Sequence, residues 1–153
     1  MENITRSQLR HSTSIVIEGR TKPVSPDYIV GLTDGEGCFY VLVKPPYNQQ
    51  GGAIVQLSFL IKVKEEDKII LDKVCGALEC GSVYFQKEKR VNHSQCYRYT
   101  VNSHRDIIGK IIPFFNKYPL QSMSKHKNFI LFCKIAQLVQ NGEHHFTKGV
   151  ETI

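Results

Sequence analysis

Glu36 is the residue of this sequence whose position points most directly to chemistry. It follows Gly31 and Gly35, which lie four residues apart in the segment Ile-Val-Gly-Leu-Thr-Asp-Gly-Glu-Gly at residues 29–37. On a helix, this spacing puts both glycines on one face, where a second helix can approach almost backbone to backbone. A carboxylate near such a contact is rarely buried without a partner, but it suits a divalent metal. The pattern therefore predicts a close helix–helix contact with a metal-binding acid at its end.

The residues before this segment supply the start of a helix. Ser25 provides a capping hydroxyl, Pro26 suits the first helical position, and Asp27 places a negative charge near the positive helix end. The helix is therefore expected to run from here to about Gly35.

After Gly37 the apolar period changes from that of a helix to that of strands with one buried face. The odd-numbered positions are apolar and are expected to form the core: Phe39, Val41, Val43, Leu57, Phe59, Ile61, Val63, Val83, Phe85, Tyr97, Tyr99 and Val101. The even-numbered positions form a second face that is rich in hydrogen-bonding side chains: Tyr40, Leu42, Lys44, Gln56, Ser58, Leu60, Lys62, Lys64, Ser82, Tyr84, Gln86, Arg98 and Thr100. We call this second set the even-numbered face.

Helical spacing predicts three further helices. The first, at 67–77, carries Ile69, Ile70, Val74 and Ala77 on its expected apolar face, and the others cover about 105–116 and 124–139. The predicted order is α-β-β-α-β-β-α-α. This is an α+β fold in which helices pack on one face of an antiparallel sheet.

The even-numbered face has two interpretations. A polar sheet face is ordinarily a solvated face. However, Gln, Ser, Thr, Tyr, Lys and Arg are suited to contact base edges and phosphates, and Glu88 is the acid on these strands. Leu42 and Leu60 are unexpected on a solvated face and are suited to contact thymine methyl groups.

Length and composition restrict the class of protein. A chain of 153 residues fits one domain, expected at 25–153 after a flexible arm at 1–24. The net charge of +6 suits a polyanionic partner. Five cysteines without metal-site spacing indicate neither a disulfide framework nor a structural zinc, so a reducing intracellular compartment is expected. No membrane-spanning run or secretory leader is evident.

The segment IVGLTDGEG at 29–37 resembles the LAGLIDADG signature of homing endonucleases. The resemblance extends over roughly residues 26–150, through the blocks YIVGLTDGEGCFYV, QLSFLIKVKEED, PFFNKYPLQSMSKHKNF and GEHHFTKG in the family's order. It implies a LAGLIDADG endonuclease-like fold whose sheet straddles double-stranded DNA. One copy of the motif implies a homodimer, with Gly31, Gly35, Val30 and Asp34 at the two-fold contact. It further implies a bacterial cytoplasmic or organellar location.

The resemblance also implies roles at the catalytic centre. Glu36 corresponds to the last acid of the motif and is the expected ligand of Mg²⁺. Mn²⁺ is expected to substitute for Mg²⁺, and Ca²⁺ is expected to support binding without cleavage. The carbonyl of Gly35 is the expected second ligand, because a helix that ends there leaves backbone oxygens without partners. Asp34 is expected to have a capping or structural role.

Two further catalytic candidates follow from the same resemblance. Lys125 matches a lysine that lies near the scissile phosphates, with Lys127 as its rival because the spacing from Pro119 is longer than expected. Glu65 stands at a strand end where relatives often carry a polar residue that positions water. The alternative for Lys125 and for Glu65 is an ordinary surface charge.

On DNA, the resemblance implies that the strands of the even-numbered face lie along the groove. Asn48, Gln49 and Arg90 at the hairpin tips are then expected to reach the outer bases.

Three functions compete at this point. The first is a site-specific endonuclease that makes metal-dependent double-strand breaks at a long, near-palindromic target. The second is an intron maturase, with intron RNA as a partner. The third is a DNA-binding regulator without catalysis, against which the acid at Glu36 argues. The chain could also be half of a longer protein with two motifs.

Overall fold

The computed structural model describes residues 22–45, 52–89 and 91–143. In chain order, the described part contains α1 (Pro26–Glu36), β1 (Gly37–Lys44), β2 (Ile54–Lys64), a 3-10 turn (Glu65–Asp67), α2 (Lys68–Leu78), β3 (Ser82–Gln86), β4 (Cys96–Val101), α3 (His104–Asp106), a π-helical segment (Ile107–Ile111), α4 (Ile112–Lys117) and α5 (Met123–Gln140). The predicted order of helices and strands is confirmed. The expected arm and the expected hairpin-tip contacts Asn48, Gln49 and Arg90 lie outside the described residues, apart from 22–24 of the arm.

The strands form one antiparallel sheet in the order β1-β2-β4-β3. Its odd-numbered face is buried, because Leu57, Phe59 and Ile61 on β2 and Tyr99 and Val101 on β4 are each at most 1% exposed. This confirms the predicted phase of the alternation, which a shift of one residue would have reversed.

Two odd-numbered residues are less buried than predicted. Val43 and Phe85 are 41% and 50% exposed, and both lie toward strand ends. Phe85 instead forms an edge contact with Tyr97, at 5.4 Å between ring centroids. The apolar pattern predicted their face correctly but not how far the helices extend along it.

An aromatic cluster fixes the start of β1 against the helices. Phe39 lies 5.2 to 5.5 Å, between ring centroids, from the rings of Phe59, Phe115, Phe129 and Phe132. These rings come from β2, α4 and α5, so one side chain joins three elements. The residue three positions before Phe39 is Glu36, and the cluster therefore anchors the chain directly after the proposed metal ligand.

The buried face of α2 differs from the prediction. Leu71, Val74 and Leu78 are buried, whereas Ile69 is 45% exposed. The helix begins at Lys68, its buried face is rotated from the predicted one, and Ala77 is exposed as well. The exposed Ile69 is a correction to the sequence interpretation.

The helical run from His104 to Lys117 is continuous but not uniform. Its middle turn, Ile107–Ile111, is π-helical, and it is followed directly by Ile112 and Pro113. Pro113 has no N–H for the carbonyl four residues earlier, and a wider turn accommodates such a missing bond.

In the described ranges, no helix is long and apolar enough to cross a bilayer.

Candidate active site and nucleic-acid interface

The end of α1 exposes Glu36 at the junction of helix and sheet. Ser25 caps the helix start by accepting a hydrogen bond from the backbone N–H of Tyr28 at 3.2 Å. At the other end, the N–H of Gly37 donates to the carbonyl of Thr33, and β1 begins at once. A Cβ at Gly37 would lie 2.5 to 2.8 Å from atoms of Thr33, including backbone atoms. Glycine is therefore required for this abrupt change of direction, which leaves the Glu36 side chain exposed.

Asp34 connects the motif helix to the start of α5. Its carboxylate accepts hydrogen bonds from the backbone N–H groups of Gln121 at 2.9 Å and Ser122 at 3.1 Å. These groups lie just before α5, where backbone donors lack helical partners. This geometry supports the predicted structural role of Asp34 and uses its carboxylate within the chain.

The contact between Asp34 and the start of α5 also positions Lys125. Ser122 caps α5 by accepting a hydrogen bond from the N–H of Lys125 at 3.4 Å, so Lys125 lies in the first turn. Its Nζ donates to the carbonyl of Gly37, the residue after Glu36, and the side chain is half-buried. Lys127 is exposed. The structure thus brings Lys125 to the end of the motif helix and favours it over Lys127.

A cavity of ≈ 510 Å³ lies beside Glu36. One helical face of α1 lines it with Tyr28, Leu32 and Glu36. The opposite wall comes from the end of β2, the 3-10 turn and neighbouring segments: Lys62, Val63, Lys64, Glu66, Asp67, Ile70 and Cys96. Two lysines of the even-numbered face therefore share a cavity with the expected metal ligand. The sequence interpretation did not anticipate this proximity.

Glu65 does not line the Glu36 cavity. It lines a separate depression of ≈ 390 Å³ together with Lys64, Glu66, Ser94 and Gln95. Its own backbone N–H donates to the carbonyl of Gln95 at 2.9 Å. The 3-10 turn begins at Glu65, and the next residue, Glu66, lines both cavities. Glu66, which lines the cavity beside Glu36, was not predicted as a site residue, because the alternating pattern of β2 ends where the 3-10 turn begins.

The described residues supply only part of the ligand set that a metal ion needs. Within the described ranges, no group of three or more His, Cys, Asp or Glu residues is arranged to hold a metal ion. Glu36 is exposed at the negative end of a helix, where a cation is favoured, and Gly35 lies in the last turn, where carbonyls lack helical partners. Mg²⁺ prefers six oxygen ligands. These two oxygen donors fit a hard cation such as Mg²⁺.

The described residues leave the glycine face of α1 uncovered. Among them, nothing lies within 4 Å of a Cβ built at Gly31 or at Gly35. Val30, expected at the two-fold contact, is instead 5% exposed and belongs to the chain's own core. Val30 also lines a surface depression together with Gly31, so its part in a two-fold contact stays a prediction. Asp34 is likewise bonded within the chain.

The even-numbered face is accessible along most of its length. Tyr40 and Tyr84 are 45% and 56% exposed. The other exposed members are Lys44, Lys64 and Ser82, and the half-buried members are Leu42, Gln56, Leu60, Lys62, Gln86, Arg98 and Thr100. The strand register places Lys62, Arg98 and Tyr84 side by side across β2, β4 and β3.

On this face, the structure contradicts the prediction that Ser58 contacts a base directly. It is only 4% exposed, and its hydroxyl donates to Oδ1 of Asn102 at 2.7 Å. Asn102 follows β4 and is exposed, and it was absent from the predicted set. Its distance of 44 positions from Ser58 explains why no local pattern indicated the contact.

Residues 29–136 match the sequence profile of the LAGLIDADG endonuclease family. The chain belongs to this family. The match starts at the first residue of the motif that carries Gly31, Gly35 and Glu36, and it extends into α5 beyond Lys125.

Several named proteins are similar to this LAGLIDADG chain. It is 29% identical over 131 residues to "Probable intron-encoded endonuclease 2" of Neurospora crassa, covering 86% of this chain and 26% of that protein. It is 30% identical over 105 residues to "Probable intron-encoded DNA endonuclease 1" of Mycosarcoma maydis, covering 69% of this chain and 35% of that protein. The chain therefore spans about a quarter to a third of these relatives.

Solved structures share the fold. The crystal structure of the homing endonuclease I-TnaI has a TM-score of 0.74 and 31% identity, over 86% of this chain and 84% of that one. The structure of the LAGLIDADG homing endonuclease I-LtrWI bound to target DNA has a TM-score of 0.76 and 32% identity, over 85% of this chain but 42% of that one. The predicted fold class is confirmed.

Proposed function

We propose that this LAGLIDADG chain forms a site-specific DNA endonuclease, with two copies making a metal-dependent double-strand break at a long, near-palindromic target. One observation carries the proposal: an exposed carboxylate, Glu36, ends a helix with an uncovered glycine face and shares a cavity with Lys62 and Lys64 of the even-numbered face. The I-LtrWI structure bound to target DNA adds support.

The even-numbered face provides the DNA contacts. Lys44, Lys62, Lys64 and Arg98 are suited to phosphates and supply salt-dependent affinity. Gln56, Gln86, Tyr40, Tyr84, Ser82 and Thr100 are suited to base edges in the major groove. Because the face continues to the cavity beside Glu36, a strand held on it is brought toward the carboxylate.

Glu36 and the carbonyl of Gly35 would hold the metal, with Mg²⁺ as the working ion and Mn²⁺ as a substitute. A bound divalent ion activates water and stabilises the leaving oxygen in phosphodiester hydrolysis. Lys125 donates a hydrogen bond to the Gly37 carbonyl, and its positive charge would stabilise a nearby phosphate oxygen in the transition state. Ca²⁺ is expected to support binding without cleavage, and a structure of I-SmaMI with an uncleaved DNA target and calcium ions gives a parallel.

A second copy completes the site. The glycine face needs a partner of matching shape, and the same face of another chain gives an isologous two-fold contact. A symmetric dimer reads paired half-sites, which is why the target is expected to be near-palindromic. The competing partner is a second motif within a longer polypeptide, since this chain covers only 42% of I-LtrWI.

The direct experiment incubates the purified chain with a randomised duplex library, first with Mg²⁺ and then with Ca²⁺. The proposal requires discrete double-strand cuts with Mg²⁺ at sites with inverted symmetry, and retention of the same sites without cuts with Ca²⁺. Binding without cleavage in Mg²⁺ would instead identify a DNA-binding protein. Cleavage at sites without inverted symmetry would contradict the homodimer.

A further inference from the structure

A depression of ≈ 460 Å³ on the even-numbered face combines apolar and hydrogen-bonding groups in one place. Leu60, Thr100, Arg98 and Asn102 line it, with Tyr40 and Tyr84. None of these residues lines the cavity beside Glu36. The depression is therefore separate from the proposed catalytic centre.

The apolar part of the depression lies at the middle of the sheet. Leu60 on β2 is the register partner of Thr100 on β4, and both are half-buried. The tyrosines are more exposed, at 45% for Tyr40 and 56% for Tyr84. A flat group that enters between the tyrosines therefore meets a leucine side chain and the methyl group of a threonine.

The polar part of the depression combines the donors of Arg98 and Asn102 with the side-chain amides of Gln56 and Gln86, which can donate and accept. Arg98 has five N–H donors and no acceptor. The hydroxyl of Ser58 donates to Oδ1 of Asn102 at 2.7 Å, so the amide of Asn102 mainly offers its two Nδ2 donors to a ligand. This bond also limits the orientations that Asn102 can adopt. The depression thus places donors beside an apolar surface.

Thymine is the base whose major-groove edge matches this combination. It presents a C5-methyl group beside the O4 acceptor, whereas guanine, adenine and cytosine present no methyl group in the major groove to meet the Leu60 and Thr100 side chains. We propose that this depression reads one thymine in each half-site, with Leu60 against the C5-methyl group and Asn102 or Arg98 donating to O4. This inference rests on the proposed function, because it names the base that the proposed DNA interface selects.

The test uses a duplex obtained from the library experiment and measures its binding in Ca²⁺. Each dT is replaced, one position at a time, by dU, which removes only the methyl group. In a second series each dT·dA pair is replaced by a 5-methyl-dC·dG pair, which keeps the methyl group but replaces O4 by an amino group. We expect one position per half-site at which dU weakens binding about fourfold, as for the loss of one buried methyl group. The 5-methyl-dC duplex should lose affinity at the same position.

Two variants separate the two contacts. Leu60→Ala should abolish the preference for dT over dU at this position, while the control Leu131→Ala, at an exposed leucine of α5 outside the even-numbered face, should retain it. Asn102→Ala should retain the preference for dT over dU. It should reduce the difference in binding affinity between the dT and the 5-methyl-dC duplexes. If a variant binds no duplex, the dU and 5-methyl-dC series measured with the natural chain alone decide whether the depression reads thymine.

The outcomes distinguish this inference from the proposed function. A bound and cleaved site at which no position discriminates dT from dU overturns the thymine assignment and leaves the endonuclease intact. Retention of the dT preference by Leu60→Ala also overturns it. If no duplex in the library is bound, the proposed function and the assignment both fail.

Discussion

We predict that a methyl group added to the glycine face of α1 stabilises the subunit but weakens the association of two copies. A Cβ at Gly31 would meet nothing within 4 Å in the described part of the chain. Replacement of a helix-interior glycine by alanine reduces the entropy lost on folding, and Gly31→Ala should stabilise the subunit by about 0.5–1 kcal/mol. If Gly31 did not contact a partner, nothing would oppose this gain.

In the dimer, the same methyl group enters a close contact between backbones. Overpacking of a well-packed contact costs about 1–3 kcal/mol, and two-fold symmetry introduces the methyl group twice. We therefore expect Gly31→Ala to weaken association by about 2–6 kcal/mol, which is at least tenfold in the dissociation constant. Gly31→Leu should prevent association and cleavage.

Gly76 provides the matched control. It lies in α2, it is exposed, and a Cβ there also meets nothing within 4 Å. Gly76→Ala and Gly76→Leu should leave the dissociation constant unchanged. Sedimentation equilibrium measures association, and urea unfolding below the dissociation constant measures subunit stability. If Gly31→Leu associates as tightly as the natural chain, the glycine face is not the contact.

Three further predictions follow from the described contacts. Asp34→Ala should lower the free energy of unfolding by about 1–3 kcal/mol in urea titrations, because it removes the acceptor for the N–H groups of Gln121 and Ser122; a change below about 0.5 kcal/mol would contradict this role. Lys125→Gln should slow single-turnover cleavage about 10²-fold or more while Lys127→Gln stays within a few-fold, and equal losses would remove the distinction between them. Burial raises the pKa of the Cys133 thiol to about 11, which leaves only about one thiolate in a thousand at pH 8, so Cys133 should resist iodoacetamide until the chain unfolds. The thiol keeps its proton to a higher pH in the folded chain than in the unfolded chain. The stability that depends on the protonated Cys133 thiol is therefore present below about pH 8.5 and is lost toward pH 11, which lowers the melting temperature at alkaline pH. Cys133→Ala should reduce this decline in melting temperature.

Much of the fold could be predicted because its strands alternate with a strict period. The odd-numbered residues Leu57, Phe59 and Ile61 are buried as predicted, and the even-numbered Tyr40 and Tyr84 are exposed. Hydrophobic alternation determines which face is buried, and the fold follows from covering that face. The alternation does not report how far the covering helices reach.

The features that the sequence interpretation did not predict depend on contacts between distant parts of the chain or on a local change of period. Ser58 is buried beneath a hydrogen bond to Asn102, which lies 44 residues away. Glu65 and Glu36 line different cavities because a 3-10 turn replaces the strand period at residue 65. Neither fact leaves a signature in the spacing of neighbouring residues.

The candidate site was predicted through the motif and refined by tertiary contacts. The sequence indicated Glu36 and left Lys125 and Lys127 as rivals. The contact of Lys125 with the Gly37 carbonyl, together with the bonds from Gln121 and Ser122 to Asp34, favours Lys125. Sequence spacing alone could not distinguish two lysines that are two residues apart on one helix.

Cleavage by the Glu36→Gln variant tests the account most directly. The substitution keeps the length of the side chain and the fold but removes the negative charge that a metal requires. On a duplex selected by the natural chain, the account predicts unchanged binding in Ca²⁺ and a loss of about 10³-fold or more in the single-turnover cleavage rate in Mg²⁺. Cleavage by Glu36→Gln at the rate of the natural chain would show that Glu36 is not the metal ligand and that the proposed centre lies elsewhere.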